Sequence, residues 1–155
     1  MKNLQIIAAS CAAALATGAA ALETSNQGAA SFACGGAGAE ERAQLKPLEA
    51  DATASLLFVT AVRGGYLADV DFTVRDRNGA AVLQGRADGP ICLLRVPPGS
   101  YRVEAAYEGH RRSANLQASR PGKPGRTVLT FPRDPSDNIS ASPEERAQAK
   151  AISVD

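Results

Sequence analysis

The sequence predicts an all-β protein, a seven-stranded Greek-key β-sandwich with short helical flanks. Three observations predict it. Between Ala54 and Phe131 the chain divides into seven short runs rich in valine, leucine, isoleucine and aromatic residues. Several of these runs alternate apolar and polar residues, the period of a half-buried strand. Turn-forming glycine, proline, asparagine and aspartate return about every ten residues, a spacing characteristic of sandwiches.

The strands follow in order. ASLLFVTAV (54–62) is apolar on both faces and reads as a central or covered strand. LADVDFTVRD (67–76) sets Val70, Phe72 and Val74 on one face and Asp69, Asp71, Thr73 and Arg75 on the other. Asn78-Gly79 then marks a tight hairpin, expected as a type I′ turn because both of its central residues need positive φ. AAVLQGRA (80–87) returns as the third strand, and Asp88-Gly89-Pro90 breaks the chain before ICLLRV (91–96). Pro97-Pro98-Gly99 ends that fourth strand, proline presetting φ and glycine accepting values closed to other residues. YRVEAAYEG (101–109) places Tyr101, Val103, Ala105 and Tyr107 on one face and Arg102, Glu104, Ala106 and Glu108 on the other. HRRSANLQA (110–118) pairs back after a Glu108-Gly109 turn, and RTVLTF (126–131) closes the set after the loop SRPGKPG.

The flanks are of a different kind. Residues 1–21 carry one lysine, an apolar run and the small triplet Ala19-Ala20-Ala21, the pattern of a secretory signal peptide cleaved after Ala21. The mature chain is therefore expected to be exported to the periplasm, without stable membrane insertion. Cys11 lacks the bulky preceding residue that lipidation favours, Ala8 standing there instead. Residues 22–53 form a lead-in, whose first part, LETSNQGAASFACGGAG (22–38), has no period and reads as extended or disordered. A short helix is expected over Ala39 to Leu48, where EERAQL supplies helix formers before Pro47 stops it. The sandwich domain runs over 54–132, and residues 133–155 form a polar tail. Within that tail Ser142-Pro143-Glu144-Glu145 is a capping box that starts a helix over Pro143 to Ile152. EERAQ recurs at 40–44 and 144–148, but nothing around it repeats.

A formal net charge of +1 over 155 residues gives no basic excess with which to neutralise phosphates, so nucleic acid is not an expected partner. The expected mature chain keeps two cysteines, Cys34 and Cys92, in a compartment where disulfides persist. A bridge between them would close a loop of about 58 residues and stabilise by about 4 kcal/mol. The alternative is two buried thiols that never meet.

The run from Tyr66 to Gln117 resembles the carboxypeptidase regulatory-like, or transthyretin-like, β-sandwich modules of exported bacterial proteins. The resemblance rests on D-V-x-F-T-V-R-D-x-N-G, a strand running into a hairpin, and on L-x-R-V-P-P-G-S-Y-R-V-E-A-x-Y-E-G, a strand, turn and strand. It covers about residues 54 to 131, and C-G-G-A-G-A-E-E-R before the sandwich is also similar to small stand-alone proteins of this type. It implies the fold and little about function, since this sandwich hosts many roles. In metallocarboxypeptidases such a module accompanies a zinc domain, whose ligand set a chain with one histidine does not supply. The related hydroxyisourate hydrolases use several histidines and a C-terminal tyrosine-arginine-glycine-serine signature, whereas this chain ends in Ile-Ser-Val-Asp.

No catalytic residue, metal site or cofactor is therefore expected. His110 sits at a turn beside Arg111 and Arg112, with no nucleophile or carboxylate placed by local spacing, and reads as a solvated turn residue. Asp69, Asp71, Asp76 and Asp88 form no calcium-loop pattern, Asp76 being an ordinary turn opener. Between Gly109 and Arg133 lie Arg111, Arg112, Arg120, Lys123, Arg126 and Arg133 without one acid. If the last two strands are neighbours these cations converge on one sheet edge, where they either meet an anionic partner or guard the edge against pairing. Tyr101 reads as a core residue whose hydroxyl caps the sandwich end, and Tyr66 as the ring left exposed. The expected function is non-enzymatic binding or scaffolding in the cell envelope, with an envelope protein or anionic envelope polymer as partner. The contact surface would be Arg111, Arg112, Arg120, Lys123 and Arg126 together with the end loops Arg63–Leu67, Asp88–Pro90 and Ser119–Gly125. The alternative is a carbohydrate-binding module that uses Tyr66 and those loops.

Overall fold

Each of the seven apolar runs becomes a strand in the computed structural model, which describes residues 22–61 and 64–132. They are β3 (Ala54–Thr60), β4 (Val70–Arg75), β5 (Ala81–Ala87), β6 (Ile91–Arg95), β7 (Gly99–Tyr107), β8 (His110–Ala118) and β9 (Gly125–Phe131). Ahead of them stand β1 (Thr24–Gln27), β2 (Ala30–Gly35), helix α1 (Ala39–Leu45) and a 3₁₀ turn over Lys46–Ala50. The helix starts where the sequence placed it, and Pro47 falls inside the 3₁₀ turn that follows.

The strands form two sheets, a larger one ordered β1-β2-β6-β3-β9 and a smaller one ordered β5-β4-β7-β8. The smaller sheet is antiparallel throughout, whereas β9 joins the larger sheet parallel to β3. Inward residues of both sheets build one core. Phe58, Phe131, Leu56, Leu83, Leu94, Leu116, Val70, Val74 and Val103 are fully buried in it. A fully buried side chain of this kind contributes roughly 1.5–3 kcal/mol, so these positions dominate stability.

The lead-in departs from the sequence reading. Residues 22–38 are expected to be extended or disordered, outside the seven strands, yet they are extended and supply β1 and β2, giving nine strands among the described residues. The reason is burial on both sides. Phe32 and Cys34 face the sandwich core, while Ala33 faces α1 and packs with Leu45, Ala52 and Leu93. A strand covered on both faces shows no apolar alternation, so small residues conceal it. Phe32 also explains Gly85 in β5: a Cβ there would overlap the Phe32 ring. The same ring packs edge-on against Phe72 at 5.1 Å between centroids.

Cys34 pairs directly with Cys92 across β2 and β6, and the two are joined in a disulfide. The bridge fastens the lead-in to the sandwich.

The β4–β5 hairpin is a second departure. Of its two central residues only Gly79 has positive φ, at 82°, so the turn is not type I′. Gly79 N–H bonds Asp76 C=O at 3.1 Å, and Asp76 Oδ1 accepts from the N–H groups of Asn78 and Ala80 at 2.9 and 3.0 Å. That is a type I turn followed by a left-handed glycine, selected by the Asp76 carboxylate rather than by Asn78.

Side chains close both open flanks of the sandwich. On one flank the Gln27 amide both donates to and accepts from the backbone of Gln84 on the β5 edge, imitating a strand residue. On the other, Arg112 Nε of β8 donates to Thr130 C=O of β9 at 3.0 Å. Residues 1–21, expected as a signal peptide, with Cys11, and the tail from Arg133 onward, with the helix expected over Pro143 to Ile152, lie outside the described residues, as does Arg63. Among the described residues no helix is long and apolar enough to cross a membrane.

Candidate functional site

Strands β8 and β9 are neighbours on one flank, but they belong to different sheets, and this divides the cations between them. Arg111 lies on the outer face of the smaller sheet, on the side shared with Ser113 and opposite Ala106. Arg112 turns the other way and is spent on the Thr130 carbonyl and, at 3.1 Å, on the Arg111 carbonyl. Arg126 sits on the outer face of the larger sheet, opposite Ser55 of β3. Arg120 and Lys123 occupy the β8–β9 loop, where a backbone bond from Lys123 N–H to Arg120 C=O makes a turn. The expected single basic edge is therefore two groups. Arg111 and Arg112 stand near the Phe131 end of the flank, and Arg120, Lys123 and Arg126 at the other end.

The end loops divide in the same way. Gly65 and Leu67 bond Thr60 and Phe58 at the end of β3, and Pro90 bonds Phe58, so the loops around 65 and 90 share one end. Ser119 and Gly122 bond Thr53 and Ala52 at the opposite end, beside the start of β3. One contact surface does not contain all three loops.

The outer face of the smaller sheet holds a shallow depression of about 750 Å³ lined by Asp71, Thr73, Arg75, Glu104, Arg111 and Ser113 among others. Most of its charges are satisfied within the face. Arg75 pairs with Glu104 at 3.1 Å, Arg86 with Asp69 and Asp71 at 3.4 and 3.7 Å, and Arg102 donates to Ser113 at 2.9 Å. This accounts for Asp69 and Asp71, as the turn accounts for Asp76, while Asp88 is exposed. Among the described residues no group of three or more histidines, cysteines, aspartates or glutamates gathers as metal ligands.

A smaller cleft of about 380 Å³ lies on the outer face of the larger sheet, between α1 with its 3₁₀ extension and the strands. Its floor is apolar, from Leu57, Ile91 and Leu93, and its helical wall carries Arg42, Lys46 and Glu49. Arg126 and Pro124 close one end. Tyr66 lines it too, its backbone bridging to Val59 of β3. Tyr66 is 61% exposed and Val128, beside Leu57 in the register, 49%. The cleft thus unites Arg126 and Tyr66, which the sequence assigned to rival readings. Arg42 and Lys46 escaped sequence analysis, although their i, i+4 spacing puts them on one helix side. What the spacing does not reveal is that this side overlooks the sheet beside Tyr66.

His110 is exposed and pairs with Tyr107 across a two-residue turn in which Glu108 and Gly109 both have positive φ. Tyr101 Oη donates to Pro97 C=O at 2.6 Å, capping the sandwich end as expected. Burial, and then the Asp76 carboxylate, push the Tyr101 hydroxyl above its ordinary value. No protein family, curated protein or solved structure matches the chain, so the site is characterised by its own residues.

Proposed function

We propose that the chain is an exported, non-enzymatic binding module of the cell envelope. It holds an anionic envelope polymer or an acidic envelope protein through the basic end formed by Arg120, Lys123 and Arg126. One observation carries this reading: these three cations are exposed, and among the described residues none has a carboxylate within ion-pair distance. Cations left unpaired on a chain of net charge +1 raise the local potential where an anionic partner docks. The signal-peptide pattern supports export, and the sequence resemblance supports a Greek-key module of the carboxypeptidase regulatory-like kind. A second reading, a carbohydrate-binding module, is favoured by the exposed Tyr66 ring on the wall of a cleft.

The test is cosedimentation of the mature chain with isolated cell-wall sacculi and with lipopolysaccharide, comparing wild type with Arg120→Glu/Lys123→Glu. Binding that weakens with salt and falls about tenfold in the double variant is expected, since two phosphate or carboxylate contacts become repulsive. Equal sedimentation of both forms, or of neither, refutes the reading.

A further inference from the structure

We infer that the cleft between α1 and the larger sheet is a binding site for an acidic saccharide, a sugar bearing a carboxylate or phosphate. The inference rests on the chain being a binding module, but not on Arg120 and Lys123. Three cations, Arg42 of α1, Lys46 of the 3₁₀ turn that continues it and Arg126 of β9, line one cleft with Glu49 as the single acid among its described lining residues. None of the three has a carboxylate at ion-pair distance among the described residues. Leaving three like charges around one cleft stores repulsion that an anion relieves, and arginine takes a carboxylate or phosphate with paired hydrogen bonds.

Charge alone would suit any anion, but the rest of the lining narrows the class. Tyr66 offers an exposed aromatic surface, on which the apolar C–H face of a sugar ring packs by dispersion while the phenol stays wet. Glu49 accepts, and Ser55 accepts or donates, the hydrogen bonds that sugar hydroxyls need. The floor follows β3 from Ser55, opposite Arg126, towards Val59, opposite Tyr66, a span of about 13 Å at the usual strand rise. At about 380 Å³ it is at the small end of ligand pockets, which favours a short saccharide over an extended peptide. The depression on the smaller sheet is larger, yet two of its three arginines are already engaged, Arg75 by Glu104 and Arg112 by the Thr130 and Arg111 carbonyls, and Asp71 and Glu104 stand there against the single remaining Arg111.

Calorimetry with digalacturonate, cellobiose and hexaglutamate as probes tests this. Tyr66→Ala and Lys46→Gln serve as the variants, and Arg111→Gln on the opposite face as control. All three side chains are exposed, and amide NMR spectra verify the fold. The expected result is digalacturonate binding that is about tenfold tighter than cellobiose or hexaglutamate, and about tenfold weaker in each cleft variant but not in Arg111→Gln. Absence of digalacturonate binding, equal binding of cellobiose or hexaglutamate, or indifference to Tyr66→Ala overturns the inference. Such a failure is distinct from failure of the envelope reading, because sacculus binding is read through Arg120 and Lys123, which do not line the cleft.

Discussion

The outer faces of the two sheets treat charge in opposite ways. On the smaller sheet acids and bases alternate across neighbouring strands and pair with one another, Arg75 with Glu104 and Arg86 with Asp69 and Asp71. On the larger sheet the strands present leucine, isoleucine and valine, α1 covers part of them through Leu45, and cations stand at the rim without a carboxylate at ion-pair distance among the described residues. Exposed pairs such as those of the smaller sheet are worth only about 0–1 kcal/mol each, but they neutralise most of that face and leave Arg111 as its unpaired cation among the described residues. The comparison teaches that unsatisfied charge beside apolar surface and the larger depression lie on opposite faces of the molecule.

The largest expected effect separates the faces by stability. Changing Cys34 and Cys92 to alanine removes the bond that ties β2, and with it the α1 wall, to β6. Urea unfolding is expected to show a loss of about 4 kcal/mol on the chain-entropy account of a 58-residue separation. Hydrogen exchange should quicken in α1 and β2 well before β4 and β7. Equal loosening of all four elements would mean that the two faces melt as one unit, and the distinction would fall.

A smaller effect probes the coupling between the sheets. Gly85→Ala drives a methyl group into the Phe32 ring, and overpacking of this kind costs roughly 1–3 kcal/mol. Because Phe32 belongs to the larger sheet and Gly85 to the smaller, the variant should lower the denaturation midpoint while its disulfide stays intact. An unchanged midpoint would show that the lead-in strand adds little to the core.

The smallest effect distinguishes adjacent arginines. Arg112→Ala withdraws the donor to Thr130 and should cost about 1 kcal/mol, whereas Arg111→Ala should stay within about 0.5 kcal/mol of wild type. Equal costs in thermal unfolding would return both residues to a single role.

Much of this architecture was legible. Val70, Phe72 and Val74 alternate because one face of β4 meets the core, and their neighbours Asp71 and Thr73 meet solvent. Tyr101, two residues after Gly99, signals a ring that turns inward and a hydroxyl that must find a carbonyl. The lead-in was not legible, because Ala30, Ala33 and Cys34 are small and buried on both sides, so no period marks them. The candidate cleft was half legible. Tyr66 and Arg126 stood out as exposed residue types, but Arg42 and Lys46 belong to a helix whose docking direction no local pattern records.

For β3 to β9 the sequence by itself determined the order of the strands and the turns between them, because steric limits on φ at glycine and proline and the two-residue period of a strand act over a few positions. The tertiary structure alone decided that β8 and β9 fall in different sheets, which divides the arginines. It likewise brought Arg42, Lys46, Tyr66 and Arg126 around one cleft. Strand order and helix docking are settled by burial of apolar surface across the whole chain, a nondirectional force that leaves no mark on the spacing of neighbouring residues.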